Sequence, residues 1–260
     1  MIETGARRRF IEEYRQIRYA EGRGSEDPAY YRALPYEDIT GKNSAMWAMR
    51  SRTWRYFERK LLPSFGPALD ILDLGAGNGW MSYRLSLNDH RPVAVDIFSD
   101  PRDGLAAARH YPKPFPGVEA DFSRLPFAQA SFDLAIFNAS LHYSSDYVTT
   151  LSEIRRCLRP GGSLAILETP VYRRREHGEL MTAERHAQFE KQYGFRSDAL
   201  PSIEFLDLAT VRDLSRALKL QWKIYKPWYG WKWHIRPWKA RLKRTRPPSR
   251  FWILVGKFAA

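Results

Sequence analysis

The chain has 260 residues, 44% hydrophobic and 27% charged, which suits a soluble globular protein long enough to bury one large α/β core. Its single cysteine, Cys157, excludes an internal disulfide framework, a zinc site built from several thiolates, and an iron–sulfur cluster with several cysteine ligands. The net charge of +13 is unevenly placed: 13 Lys and Arg follow Asp213, the last acid, while 29 basic residues balance the 29 acids up to that point. A local anionic partner is expected for that basic tail.

The first 60 residues read as helical and aromatic. Helices are expected over Arg7 to Tyr19 and Ser44 to Leu62, with Tyr30 to Tyr36 as an irregular connection and Pro63 and Pro67 as terminators. From Leu69 the rhythm changes. Leu69 to Leu74 is a short apolar strand, followed by a glycine turn and a helix from about Trp80 to Asn88. Pro92 to Ile97 is a second strand, Gly104 to Tyr111 a helix, and Val118 to Asp121 a third, short strand. Phe132 to Asn138 is a near-continuous apolar run of the kind a parallel sheet buries on both faces. Asp146 to Leu158 is a helix stopped by Arg159-Pro160-Gly161-Gly162, and Ser163 to Glu168 is a fifth strand. Helices follow at Glu176 to Tyr193 and Leu208 to Leu218. Two strand-like runs, Leu220 to Tyr225 and Phe251 to Lys257, then close the sheet as an antiparallel hairpin. This alternation predicts a doubly wound α/β fold, Rossmann-like and mostly parallel. The expected division is a helical N-terminal cap, 1–65, and a ligand-binding domain, 66–260, carrying a basic, tryptophan-rich insertion at about 226–250.

The chemistry concentrates at Leu72-Asp73-Leu74-Gly75-Ala76-Gly77-Asn78-Gly79-Trp80. Glycines at 75, 77 and 79 let the backbone turn sharply at a strand end and approach a ligand closely. A dinucleotide fingerprint would need glycine at position 80, which is Trp80, and a phosphate-cradling loop would need Gly-Lys-Ser/Thr. The spacing suits S-adenosylmethionine (SAM), which has no phosphates to hold. Asp96 lies 23 positions after Asp73, at the end of the second strand, where an acid can accept both hydroxyls of a ribose. A strand-terminal aspartate can equally cap a helix.

With these residues the chain resembles the class I SAM-dependent methyltransferases, the broad family of small-molecule enzymes that includes the quinone-biosynthesis C-methyltransferases. The resemblance runs from about Leu69 to Thr169. It also rests on Glu119-Ala-Asp121-Phe122-Ser-Arg-Leu-Pro126-Phe127, Ser131-Phe132-Asp133-Leu134 and Leu158-Arg159-Pro160-Gly161-Gly162. It implies that Asp121 binds the adenine amino group beside Phe122, and that Asn138 ends the fourth strand near the methionine part of SAM. The expected cofactor site is therefore Asp73, Gly75, Gly77, Gly79, Asp96, Asp121, Phe122 and Asn138, with no metal.

His142, one turn beyond Asn138, is a candidate general base; the alternative is that it only lines the pocket or caps a helix. Tyr30, Tyr31, Tyr36 and Trp47 are expected in a lid whose aromatic faces favour a sulfonium, or else in core packing. The expected reaction is O- or C-methylation of a small-molecule or lipid-linked acceptor by a cytoplasmic enzyme. The insertion at 226–250 would contact an anionic membrane surface or wall the acceptor pocket. Two rival readings are an RNA methyltransferase docking through that insertion and a non-catalytic SAM-fold scaffold.

Overall fold

The apolar runs become strands in the computed structural model, which describes residues 4–259. Residues 1–3 of the expected cap, and Ala260, lie outside it. Three helices come first: α1 (Thr4–Ala20), α2 (Pro28–Ala33) and α3 (Ser44–Tyr56), the last running on through a π turn and a 3-10 turn to Phe65. Then follow β1 (Asp70–Leu74), α4 (Trp80–Leu87), β2 (Arg91–Asp96), β3 (Gly117–Glu119), β4 (Phe132–Asn138), α5 (Tyr147–Cys157) and β5 (Leu158–Leu167). The remainder comprises β6 (Val171–Tyr172), α6 (Arg175–Tyr193), β7 (Leu206–Asp207), α7 (Leu208–Leu218), β8 (Leu220–Tyr225), the short helices α8 (Trp231–His234) and α9 (Arg236–Leu242), and β9 (Ile253–Phe258).

Seven strands form one sheet in the order β3-β2-β1-β4-β5-β9-β8. The pairs from β3 to β5 are parallel, and β9 runs antiparallel to both β5 and β8. The expected hairpin is present, with β9 inserted between β5 and β8. The chain leaves β1 toward β2 on one side, and β4 enters on the other. That reversal opens a crevice beyond the carboxyl ends of β1 and β4, where doubly wound sheets bind ligands.

Alternate side chains feed two cores. Ile71, Leu134, Ile136, Ala165 and Leu167 pack against Tyr30, Tyr31, Trp47, Trp54 and Trp80, which come from α2, α3 and α4. Leu72, Leu74, Ala135, Phe137 and Ile166 pack against Leu151 and Ile154 of α5 and Val211, Leu214 and Leu218 of α7. Full burial of such a side chain stabilises the fold by about 1.5–3 kcal/mol. Aspartates start three of the helices: Asp27 accepts from the Ala29 amide, Asp146 from Val148, and Asp207 from Thr210.

Several expectations are corrected. Tyr30 and Tyr31 are not in an irregular connection but in α2, which Asp27 caps and Pro28 starts. The stretch after Gly104 is a six-residue 3-10 helix, Leu105–His110, rather than an α-helix. The Arg159-Pro160-Gly161-Gly162 turn lies within β5, which begins at Leu158 directly after α5. Among the described residues no helix is long and apolar enough to cross a membrane.

Candidate active site

A cavity of about 1150 Å³, counting its open mouth, occupies the crevice beyond β1 and β4. Its floor is the turn after β1. The Gly75 and Ala76 amides both donate to the Val95 carbonyl, at 2.7 and 3.0 Å, folding the turn onto β2. Gly75 has φ +67°, and a Cβ there would stand 2.3 Å from the Ser140 Cβ. Ser140 in turn donates its hydroxyl to the Leu74 carbonyl at 2.5 Å. Only glycine fits between them.

Asp96 ends β2 beneath this turn. One carboxylate oxygen accepts from the Gly77 amide at 2.8 Å and the other from the Phe98 amide at 2.9 Å. Burial raises its pKa, and those amide donors restrain the rise. Asp73 is 1% exposed, and burial pushes its pKa up to about 7 although Ser82 donates to it at 2.7 Å. Asp121 spends one oxygen on the Ser123 amide and hydroxyl, at 2.8 and 2.7 Å. Phe122 beside it packs edge-on against Phe137 of β4.

Asp73, Gly75, Gly77, Asp96, Asp121, Phe122 and Asn138 all line this one cavity. Gly79 does not. It caps α4 at φ +77°, and a Cβ there would stand 2.6 Å from the Phe115 ring, so its glycine serves packing and the helix start.

His142 is also absent from the lining. Its Nδ1 is buried without a hydrogen-bond partner, and burial, reinforced by Arg185 and Arg50, pushes its pKa down to about 3. An imidazole so weakly basic makes a poor proton acceptor, so neither its place nor its basicity supports the candidate general base. It sits beside a set of charges that reaches the cavity through Arg50. Arg50 pairs with Glu168 at 3.4 Å, and Glu204 holds Arg185 and, at 2.8 Å, His186. The Glu204 amide donates to the His142 carbonyl at 2.8 Å, tying the two together.

The cover over the cavity is α1, not the tyrosines of α2. Tyr30, Tyr31 and Trp47 are core residues, and none of them nor Tyr36 reaches the lining. Phe10 and Tyr14 of α1 do, packing with Phe98 and Tyr143 in an aromatic wall whose ring centroids lie 5.2–6.1 Å apart. Ion pairs latch α1 to the loop after β2. Arg15 reaches Asp100 at 3.3 Å, the Tyr19 hydroxyl donates to Asp100 at 2.9 Å, and Arg18 pairs with Asp103. Asp103 also accepts from Asn78 at 3.3 Å.

Two of the motifs lie at the opposite end of the strands. Arg159 pairs with Asp70 at 2.8 Å and Asp133 at 2.7 Å, fastening the amino ends of β1 and β4. They build the sheet rather than the site.

The cavity presents four carboxyl side chains, Asp73, Asp96, Asp103 and Asp121, against two guanidiniums, Arg18 and Arg50. An excess of acid in a low-dielectric wall repels phosphates and attracts a cation. Glycine turn, paired carboxylates and surplus negative charge fit an adenosyl sulfonium and disfavour a dinucleotide.

Comparison with known proteins agrees. Residues 72–166 match the methyltransferase domain family. Malonyl-[acyl-carrier protein] O-methyltransferase of Erwinia pyrifoliae is 35% identical over 103 residues, covering 38% of this chain and 37% of that protein. Demethylmenaquinone methyltransferase of Mycolicibacterium paratuberculosis is 35% identical over 131 residues, covering 50% of this chain and 54% of that protein. The chain thus spans about half the length, or less, of these relatives. Among solved structures, YcgJ from Bacillus subtilis superposes with a TM-score of 0.57 at 14% identity, over 81% of this chain and all of that one. An S-adenosylmethionine-dependent methyltransferase from Mesorhizobium loti gives 0.55 at 18%, over 79% and 97%. Both share the fold.

Proposed function

We propose that this chain, which carries a class I SAM-dependent methyltransferase domain, transfers a methyl group from SAM to the oxygen or carbon of a small-molecule or lipid-linked acceptor. The observation that carries the reading is the Gly77–Asp96 contact at 2.8 Å, which joins the glycine turn to the strand-end acid inside one net-acidic cavity. Asp96 would hold the ribose hydroxyls, Asp121 and Phe122 the adenine, and Asp73, Gly75, Gly77 and Asn138 the methionine end. Bound there, SAM would supply an electrophilic methyl carried on a sulfonium sulfur, a neutral thioether being its leaving group.

The protein's part is placement and exclusion of water. The aromatic wall of Phe10, Tyr14, Phe98 and Tyr143 presents ring faces and edges at one end of the cavity, a favourable surface for a cation. Helix α1, held by Arg15 and Arg18, closes that end and would fix the angle at which an acceptor enters. In this reading residues 1–65 act as a cap on a SAM-binding domain, 66–260. No side chain is needed as a strong base if the acceptor arrives as an enolate or phenolate. The relatives whose names specify malonyl-acyl carrier protein and demethylmenaquinone support a small or lipid-linked acceptor. For a lipid-linked acceptor, residues 226–250 would make the membrane contact.

Incubation of the purified chain with methyl-labelled SAM and fractionated cell extract tests the proposal. Label should appear in an organic-extractable product and depend on Asp96. Label found only in RNA, or SAM binding without any labelled product, would contradict it.

A further inference from the structure

The basic, tryptophan-rich segment between β8 and β9 is two-sided. Its inner side is fastened to the fold. Tyr229 is 4% exposed, and its hydroxyl lies 3.0 Å from that of Thr53 on α3 and donates to the Phe251 carbonyl at 2.9 Å. Trp233 packs on Tyr229 and Phe251 with ring centroids 5.1 and 5.3 Å away, and the Arg236 guanidinium lies over its ring and donates to the Ser249 carbonyl at 2.5 Å.

The outer side is largely exposed, its aromatic contacts being local ones: Trp228 meets Trp231 edge-on at 5.2 Å and His234 at 4.1 Å. Trp231, Ile235, Trp238 and Leu242 are 76%, 38%, 75% and 82% exposed, and Trp228 just before them is 52% exposed. Ile235, between α8 and α9, keeps a right-handed helical backbone at φ −82° and ψ −5°. Within α9, Trp238 and Leu242 stand four residues apart and so share one face of that helix. Lys232, Lys239, Arg241 and Lys243 are interleaved with that stripe and exposed, as are Lys226 and Arg244 nearby. Among the described residues none of these six meets a carboxylate; in this segment only Arg246 does, with Glu184 at 2.7 Å. Arg236, Lys239, Lys243 and Arg246 also line a shallow recess beside α9.

We infer that this stripe is a docking element for an anionic phospholipid bilayer. Exposed tryptophans and a leucine enter the headgroup–acyl boundary, while the surrounding lysines and arginines meet lipid phosphates. The charge argues against self-association, since a second copy would bring like charges together. A single-stranded nucleic acid would use the cations but gains no stacking from Ile235 or Leu242. The inward anchors matter because they hold the stripe rigidly against α3, so the cap and the membrane contact belong to one body. The inference rests on the methyltransferase reading only for its purpose, which is to bring the cavity to a lipid-linked acceptor.

Flotation of the full chain with vesicles tests it. Vesicles containing about one-third anionic phospholipid should carry the protein, purely zwitterionic ones should not, and the binding should weaken as salt rises. Trp231→Ser/Trp238→Ser/Leu242→Ser should bind at least about tenfold more weakly, with an unchanged melting temperature because these side chains are exposed. Lys232→Gln/Lys239→Gln/Lys243→Gln, which keeps every aromatic ring, should lose roughly fivefold per charge. Absence of flotation on anionic vesicles, with or without retention of an RNA oligonucleotide, would overturn the inference. So would a triple apolar variant that floats as well as the parent. SAM titration is read separately: flotation without SAM binding sinks the enzymatic reading alone, and SAM binding without flotation sinks this one alone.

Discussion

The Gly77 amide donates to the Asp96 carboxylate at 2.8 Å, so the turn after β1 and the end of β2 form one unit rather than two adjacent features. The turn's geometry and the acid's position therefore depend on each other. Substitutions in either should be felt in both fold and ligand binding.

Gly75→Ala should destabilise the chain by about 2–4 kcal/mol, combining a left-handed backbone at φ +67° with the clash against Ser140. For a chain near this size each kcal/mol lowers the melting temperature by roughly 2–4 °C. Ser140→Gly in the same background should recover part of the loss by removing the Cβ it meets. A double variant no more stable than Gly75→Ala would show that the clash contributes nothing.

His142→Leu should keep most turnover. The native state holds this imidazole neutral with a pKa of about 3 against an ordinary 6.5. Its contribution to stability is full above pH 6.5 and is lost as pH falls toward 3, at about 1.4 kcal/mol per unit. The leucine variant should therefore lose less melting temperature than the parent between pH 7.5 and pH 5. A hundredfold fall in turnover at unchanged stability would restore the role of base to His142.

Asp73 carries the opposite sign. Its folded pKa of about 7 lies above the ordinary 3.8, so the apo-protein is favoured at low pH and loses stability as pH rises through 7. The full span is on the order of 4 kcal/mol. Asp73→Asn should melt higher than the parent at pH 8 and converge with it near pH 4. A difference independent of pH would refute this.

The parts of the site readable in the sequence were the local ones. Asp73, Gly75, Gly77, Asp96, Asp121 and Asn138 sit at strand ends, where alternation and glycine spacing give their place, and all of them line the cavity. Strand β4 and helix α7 lie where the apolar periodicity puts them. Helix α2 was hidden because it is only six residues long and rich in tyrosine, although Asp27-Pro28 is a helix start. Phe10, Tyr14, Arg18 and Asp103 join the site through contacts between residues far apart in the chain, Arg18 with Asp103, Tyr14 with Phe98 and Phe10 with Tyr143, for which no local pattern exists. The one available hint was the pair of acids, Asp100 and Asp103, shortly after Asp96, facing the arginines of α1. Composition marked residues 226–250 as unusual, but only packing separates inward Trp233 from outward Trp231 and Trp238.

Calorimetric titration with SAM, at neutral pH and in parallel on Asp96→Ala, addresses the central claim most directly. The parent should bind one SAM per chain, and the variant should bind at least about a hundredfold more weakly while remaining folded by circular dichroism. A parent that takes up no SAM, or a folded variant that binds it as tightly as the parent, would contradict the account.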